Sequence, residues 1–173
     1  MYNNFFGFKE KPFKLAPDPE NIFLGKSHED ALAQLLFSIS HGKDCVSITG
    51  ELGTGKTTLC RAFMGNLGAT VNTAYISTPK PDALQLLKAI NYAFSIDSTP
   101  DNTKDLIDAL YRFLIEKKDP GHKNLVIIDE AHELPFEALE QVLQLSKLKT
   151  TQGNLLQIIL AGQPELEDML ASD

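Results

Sequence analysis

The sequence is poor in several residue types that mark particular classes of protein. It contains no tryptophan, two cysteines and, among its 16 basic residues, only two arginines. Cys45 and Cys60 lack the spacing of a zinc or redox motif, so they indicate buried thiols in a reducing compartment. A net charge of −7 leaves little of the basic surface that a nucleic-acid backbone requires, which disfavours nucleic acid as a partner.

Long apolar runs are also missing. No run approaches the roughly 18 to 20 residues of a membrane span, and the N-terminus lacks the charged segment and cleavage site of a signal peptide. We therefore expect a soluble, cytoplasmic chain. Its 173 residues, 43% of them hydrophobic, predict a single core, formed by residues 26–173. Residues 1–25, rich in Phe and Pro, are predicted to be an apolar strap across that core, the alternative being a disordered tail.

Apolar strands alternate with amphipathic helical segments along the rest of the chain. The predicted strands are Cys45–Thr49, Thr73–Thr78, Leu125–Ile128 and Leu155–Ala161. The predicted helices run from a cap at Ser27 to about Ser40, from about Lys56 to Leu67, and over Asp82–Phe94, Thr103–Glu116 and Phe136–Leu148. This alternation predicts an α/β fold with a doubly wound parallel sheet and helices on both faces.

A glycine-rich pattern lies between the first strand and the helix that follows it. The pattern is G-x-x-x-x-G-K-T, from Gly50 to Thr57. Its glycines let backbone N–H groups turn toward a phosphate, and the helix offers its positive N-terminal end. We expect Lys56 to reach the β- and γ-phosphates of a nucleotide and the Thr57 hydroxyl to bind Mg²⁺. The predicted nucleotide-binding residues of this P-loop are Gly50, Gly53, Thr54, Gly55, Lys56, Thr57 and Thr58.

Two carboxylates follow the most apolar strand directly. In an open α/β sheet, ligands bind beyond the carboxyl ends of the strands, which is also where the P-loop opens. Asp129 is therefore predicted to hold Mg²⁺ through its water shell, and Glu130 to be the general base that polarises an attacking water. Away from a P-loop, such an Asp-Glu pair would more simply be a helix cap.

These motifs resemble the Walker A and Walker B motifs of AAA+ ATPases. The whole chain is similar to the ATPase domain of the general secretion pathway protein A family, of the ExeA type. The similar segments are Tyr2, Phe5–Phe8, Pro12–Phe13 and Pro17–Pro19 near the N-terminus, Gly50–Thr57, Ile128–His132 and Gly162–Leu166. The resemblance implies a P-loop NTPase fold that binds ATP or ADP with Mg²⁺.

The same resemblance implies roles for residues outside the two motifs. Gln163 matches the sensor 1 position, where a polar side chain orients the attacking water or reads the γ-phosphate; the alternative is an ordinary turn residue before Pro164. With Lys56 and Glu130, Gln163 completes the implied catalytic set. His132 is interpreted chiefly as a residue at a helix start. The residues at the position where AAA+ proteins contact adenine are Phe23, Leu24 and Gly25.

The resemblance also implies a biological role. We expect a Mg²⁺-dependent ATPase that powers assembly of a bacterial secretion or pilus-type envelope complex at the cytoplasmic face of the inner membrane. The implied full-length protein is a homo-oligomer that contacts an inner-membrane partner protein and peptidoglycan through segments outside this sequence. An AAA+ module would continue into a fifth strand and a helical lid bearing arginine, so we expect an incomplete core with weak hydrolysis. The alternatives are an adaptor ATPase of the DNA-transposition type and, with less support, a small P-loop kinase.

Overall fold

The computed structural model describes residues 25–77, 82–117, 122–151 and 153–171. The strands are β1 (Cys45–Thr49), β2 (Val71–Ile76), β3 (Lys123–Ile128), β4 (Lys149–Thr150), β5 (Gly153–Asn154) and β6 (Gln157–Gly162). The helices are α1 (Lys26–Ser40), α2 (Lys56–Gly65), α3 (Ala83–Ala93), α4 (Thr103–Glu116), α5 (Phe136–Ser146) and α6 (Glu165–Ala171), and a 3₁₀ turn spans Ala131–Glu133.

Four of the strands form one parallel sheet in the order β1-β6-β3-β2. Strand β6 lies in the middle, where Ile158 is opposite Cys45 on one side and Val126 on the other. The predicted doubly wound parallel sheet is therefore confirmed. Strands β2 and β3 both begin two residues earlier than predicted, because their pairing already starts at Val71 and Lys123, where the Lys123 N–H donates to Thr70 O at 3.0 Å. The Asn72 amide also donates to Asn124 Oδ1 at 3.1 Å across this pair of strands.

The side chains of the two central strands point alternately into two apolar clusters. Leu125 and Ile127 of β3 pack on the face covered by α1 and α2, whereas Val126 and Ile128 pack on the opposite face with α3, α4 and α5. A parallel strand buried on both faces needs apolar residues at every position, which explains the unbroken apolar run. Helices on both faces of the sheet are thus confirmed.

Several local predictions were wrong. Ser27 does not cap α1: the helix begins at Lys26 because the extended Gly25 offers its carbonyl to the N–H groups of His28 and Glu29, at 2.8 and 3.1 Å. Strand β6 begins at Gln157 rather than Leu155, whose N–H donates to Leu148 O at 2.9 Å instead. The antiparallel β4–β5 hairpin and helix α6 were not predicted.

The two thiols differ in their surroundings. Cys60 on α2 is 1% exposed, as predicted, whereas Cys45 is only half-buried. Cys45 begins β1, which has one neighbouring strand in the part of the sheet that the structure describes. Its side chain is therefore covered less completely than those of the central strands.

The structure does not address residues 1–24, so the predicted strap and its boundary with the core stay predictions. Phe23 and Leu24, predicted to contact adenine, lie outside the described residues. Within the described ranges, the helices are too short or too polar to cross a membrane.

Candidate functional site

The predicted site residues meet at one edge of the sheet, beyond the carboxyl ends of the strands. The N–H of Gly50 donates to Gly162 O at 3.2 Å, which joins the start of the P-loop to the end of β6. The N–H of Asp129 donates to Ile76 O at 2.9 Å, so the β2–β3 pairing continues to the first carboxylate. Neighbouring parallel strands therefore bring the P-loop, the acidic pair and Gln163 together, although these segments are far apart in the sequence.

The P-loop is a tight turn that depends on its glycines. Gly53 and Gly55 have φ of +79° and +87°, in the left-handed region that favours glycine. A Cβ at Gly50 would lie 2.9 Å from Thr54 Oγ1, and that hydroxyl donates to Glu51 O at 2.7 Å. Gly55 is also the N-cap of α2, so the loop runs directly into a helix N-terminus.

Lys56 lies against this loop rather than extending into solvent. Its side chain is 8% exposed, and Nζ donates to Gly50 O at 2.7 Å and to Glu51 O at 3.0 Å. These carbonyls satisfy a cation that would be costly to bury without partners. The ammonium group is therefore held beside the backbone that would cradle phosphates. Thr58, on the first turn of α2, is half-buried.

Asp129 connects three elements through its carboxylate. Thr57 Oγ1 donates to Oδ2 at 2.7 Å, the Tyr75 hydroxyl donates to the same oxygen at 2.9 Å, and the Glu130 N–H donates to Oδ1 at 3.0 Å. Asp129 is 2% exposed, and three donors are what a buried carboxylate requires. Because Thr57 donates its hydrogen to Asp129, its oxygen lone pairs are directed elsewhere and remain able to bind a cation.

Tyr75, on β2, belongs to the candidate site through its bond to Asp129, and it was not predicted from the sequence. Burial raises the pKa of its phenol, and the hydrogen bond to Asp129 raises it further. The phenol therefore stays protonated and remains a donor at neutral pH. The only signal in the sequence is its position near the end of the second predicted strand, which does not distinguish it from a packing residue.

Glu130 has an unusual backbone conformation. Its φ of +53° lies in the left-handed region, which a residue with a side chain adopts only at some energetic cost. Its carbonyl accepts the N–H of Glu133 at 3.0 Å, which closes the 3₁₀ turn after β3. Such strained positions are common at functional sites, and here the left-handed conformation turns the chain at the end of a buried strand.

Besides Lys56 of the P-loop, the predicted catalytic set contains Glu130 and Gln163, and His132 contacts both of them. Its Nδ1 is 3.6 Å from Glu130 Oε2, and its Nε2 is 2.9 Å from Gln163 Nε2. The backbone N–H of Gln163 also lies 3.3 Å from Nδ1. Its interpretation as chiefly a helix-start residue was therefore incomplete: the imidazole connects the acidic pair to the end of β6.

The close approach of these segments leaves little room for a side chain before Gln163. A Cβ at Gly162 would lie 3.0 Å from Leu166 Cδ2 and 3.2 Å from the backbone nitrogen of His132. Helix α6 also contacts β1, since the Thr49 hydroxyl donates to Glu167 Oε1. The end of β6 is thus packed between the acidic pair and α6.

Gly25 lies at the start of α1, near the P-loop. Three residues later, His28 Nε2 contacts Thr54 O at 2.7 Å, so the first turn of α1 touches the loop. Of the three residues predicted to contact adenine, Gly25 is the one that the structure describes, and its role stays a prediction.

The chain is similar to a family model, to a secretion protein and to solved structures. A family model described as "AAA domain" matches residues 39–170. The general secretion pathway protein A of Aeromonas hydrophila is 38% identical over 98% of this chain, which spans 31% of the length of that relative. The ORC2 protein of Aeropyrum pernix, solved in ADPNP-ADP complexes, has a TM-score of 0.66 at 22% identity. The match covers 91% of this chain and 46% of the ORC2 chain.

A second solved structure gives the same result for the fold. CDC6P from Pyrobaculum aerophilum has a TM-score of 0.66 at 16% identity, over 93% of this chain and 43% of its own. Identities this low support likeness of fold and no more. The similarity to the secretion protein confirms the resemblance found in the motifs.

Proposed function

Because this chain belongs to the AAA domain family, we propose that it binds ATP and ADP with Mg²⁺ and hydrolyses ATP. The observation that carries the proposal is the 2.7 Å contact between the Thr57 hydroxyl and the Asp129 carboxylate. It joins the P-loop helix to the end of β3, which is the arrangement that Mg²⁺-nucleotide binding requires. A glycine-rich turn with no catalytic role would not need a buried carboxylate opposite its threonine.

The donor set fits Mg²⁺ better than it fits a metal held by protein alone. In the described parts of the chain, no group of three or more His, Cys, Asp or Glu side chains could hold a metal ion. Mg²⁺ usually takes one or two protein ligands and fills its shell with water and phosphate oxygens. Thr57 would bind the ion directly and Asp129 would hold its waters. The bound ion would neutralise charge on the phosphates during hydrolysis.

The remaining residues would act on water and on the transferred phosphoryl group. Glu130 would accept the proton of the attacking water, and Lys56 would exchange its carbonyl partners for oxygens of the β- and γ-phosphates. Gln163 would contact the γ-phosphate or the water. Since His132 lies between Glu130 and Gln163, it would keep these two side chains in a fixed relation.

Nucleotide binding is tested by removing the cation from the P-loop. Lys56→Ala should abolish measurable binding of Mg²⁺-ATP and Mg²⁺-ADP in titration calorimetry. Lys104→Ala is the matched control, because it removes the same charge from an exposed position on α4. If Lys56→Ala keeps the wild-type affinity, the P-loop is not the nucleotide site.

The secretion relative, of which this chain spans less than a third, supports a proposal about the wider role. We infer that the ATPase works as an oligomer at the cytoplasmic face of the inner membrane and powers assembly of a secretion or pilus-type envelope complex. In the organism that carries the gene, chromosomal Lys56→Ala should block secretion or pilus assembly while the protein level stays unchanged. Normal assembly with an inactive ATPase would contradict this role.

A further inference from the structure

The imidazole of His28, which lies outside the P-loop, is hydrogen-bonded to the loop backbone. His28 lies on the first turn of α1, and its Nε2 is 2.7 Å from Thr54 O. A carbonyl oxygen can only accept, so Nε2 must carry the hydrogen of this bond. Neutral and protonated imidazole can both supply that donor. The contact joins α1 to the loop across 26 residues of sequence.

A second observation places the same ring against the next residue. A Cβ at Gly55 would lie 2.9 Å from His28 Nε2 and 3.7 Å from Cδ2 and Cε1. A side chain at Gly55 would be strained by the left-handed backbone, and it would also displace the imidazole from its place against the loop. His28 therefore contacts the P-loop, although it belongs neither to the Walker A and Walker B motifs nor to the predicted site.

The bond fixes a peptide group, and a peptide group is planar. In a trans peptide the C=O and the N–H point in opposite directions, so holding Thr54 O toward His28 directs the Gly55 N–H away from α1. Backbone N–H groups of a P-loop cradle the phosphates. We propose that His28 is a positioning residue for nucleotide binding, which holds the Thr54–Gly55 peptide so that its N–H faces the phosphates.

This inference rests on the proposed nucleotide binding. It adds a consequence that can be measured separately, which is the effect of His28 on ADP compared with its effect on ATP. Because P-loop N–H groups bind phosphates that ATP and ADP share, losing the His28 hydrogen bond should lower the affinities for both nucleotides equally. A residue that reads the γ-phosphate would affect ATP alone. The two nucleotides therefore separate a role in loop geometry from a role in sensing the γ-phosphate.

The test compares four variants by calorimetry with ADP and with ATP. His28→Phe keeps a ring against Gly55 but removes the hydrogen-bond donor. It should lower the affinities for both nucleotides by roughly 3- to 10-fold, as expected for the loss of one hydrogen bond. His28→Gln places its amide nitrogen close to the position of Nε2 and should restore most of the affinity. His28→Asn, whose amide is too short to reach Thr54 O, should behave like the Phe variant and replaces it if that variant does not fold.

His41→Phe is the matched control. His41 also bonds a backbone carbonyl, Phe37 O at 2.9 Å, but at the opposite end of α1. It should leave both affinities unchanged. Wild-type affinity in both His28→Phe and His28→Asn, a loss confined to ATP, or an equal loss in the Gln variant would each overturn the inference. If the wild-type chain binds neither nucleotide, the proposed function itself has failed.

Discussion

Asp129→Asn should selectively remove the advantage that Mg²⁺ gives to nucleotide binding. In the wild-type chain, Thr57 and Tyr75 both donate their hydroxyl hydrogens to Oδ2 of this carboxylate. An amide nitrogen at that place is a donor, so both hydroxyls must rotate and accept. The Thr57 oxygen would then spend a lone pair on the introduced amide, and its hydrogen would point toward the metal position.

The expected size follows from these contacts. Changing an outer-shell partner of a metal typically lowers metal affinity by about 10- to 100-fold. The fold itself should survive, because each charge-assisted hydrogen bond that becomes neutral costs about 1 to 1.5 kcal/mol, and three such bonds are involved. A total of about 3 to 4.5 kcal/mol is still smaller than the roughly 5 to 15 kcal/mol that stabilises a typical domain.

The assay is the affinity for ADP measured with Mg²⁺ and again with a chelator, since ADP is not hydrolysed during the titration. The ratio of the two affinities should fall toward one in Asp129→Asn, while the affinity in the chelator should change little. Asp108→Asn makes the same change of charge at an exposed position on α4 and should keep the wild-type ratio. A wild-type ratio in Asp129→Asn would refute the role given to this carboxylate.

Three other predictions concern chemistry and stability. Glu130→Gln should bind Mg²⁺-ATP normally but release no phosphate, because the amide cannot accept a proton; hydrolysis at the wild-type rate would exclude Glu130 as the base. The 173-residue chain alone should turn over slowly in a phosphate-release assay, since an arginine from a neighbouring subunit is worth about 10³ to 10⁵ in P-loop enzymes; turnover of several per second by a monomer would contradict this expectation. Burial raises the pKa of Cys60 from 9.0 to about 12, so above pH 9 the unfolded chain loses this proton first and stability falls, by up to about 1.4 kcal/mol per pH unit. Urea unfolding should show a flatter alkaline limb in Cys60→Ala, and an unchanged slope would assign the effect to other groups.

Where the relevant contacts are local, the sequence was sufficient to predict which residues come together at the edge of the sheet. The spacing from Gly50 to Thr57 determines the turn and the helix start by backbone geometry alone. The carboxylates could be predicted as well, because the ends of parallel strands lie at one edge of a sheet whatever the order of those strands.

Contacts between side chains from different strands could not be predicted in the same way. Tyr75 reaches Asp129 because β2 is next to β3, and His132 reaches Gln163 because β6 is next to β3. Alternating strands and helices predict a parallel sheet without giving this order. Helix α6 has seven residues and the strands of the hairpin have two each, lengths at which periodicity carries little information.

The order of the strands has a consequence for how the chain folds. Strand β1, which leads into the P-loop, pairs with β6 in the described sheet, so Cys45 must find Ile158 across most of the sequence. Closing so long a loop is entropically costly and slow compared with pairing between neighbouring segments. During synthesis, β2 and β3 can pair before β6 has been made, whereas β1 must wait for it. The phosphate-binding loop therefore leaves the ribosome before β2, β3 and β6 but is anchored only when β6 is in place, which delays nucleotide binding until the sheet is closed.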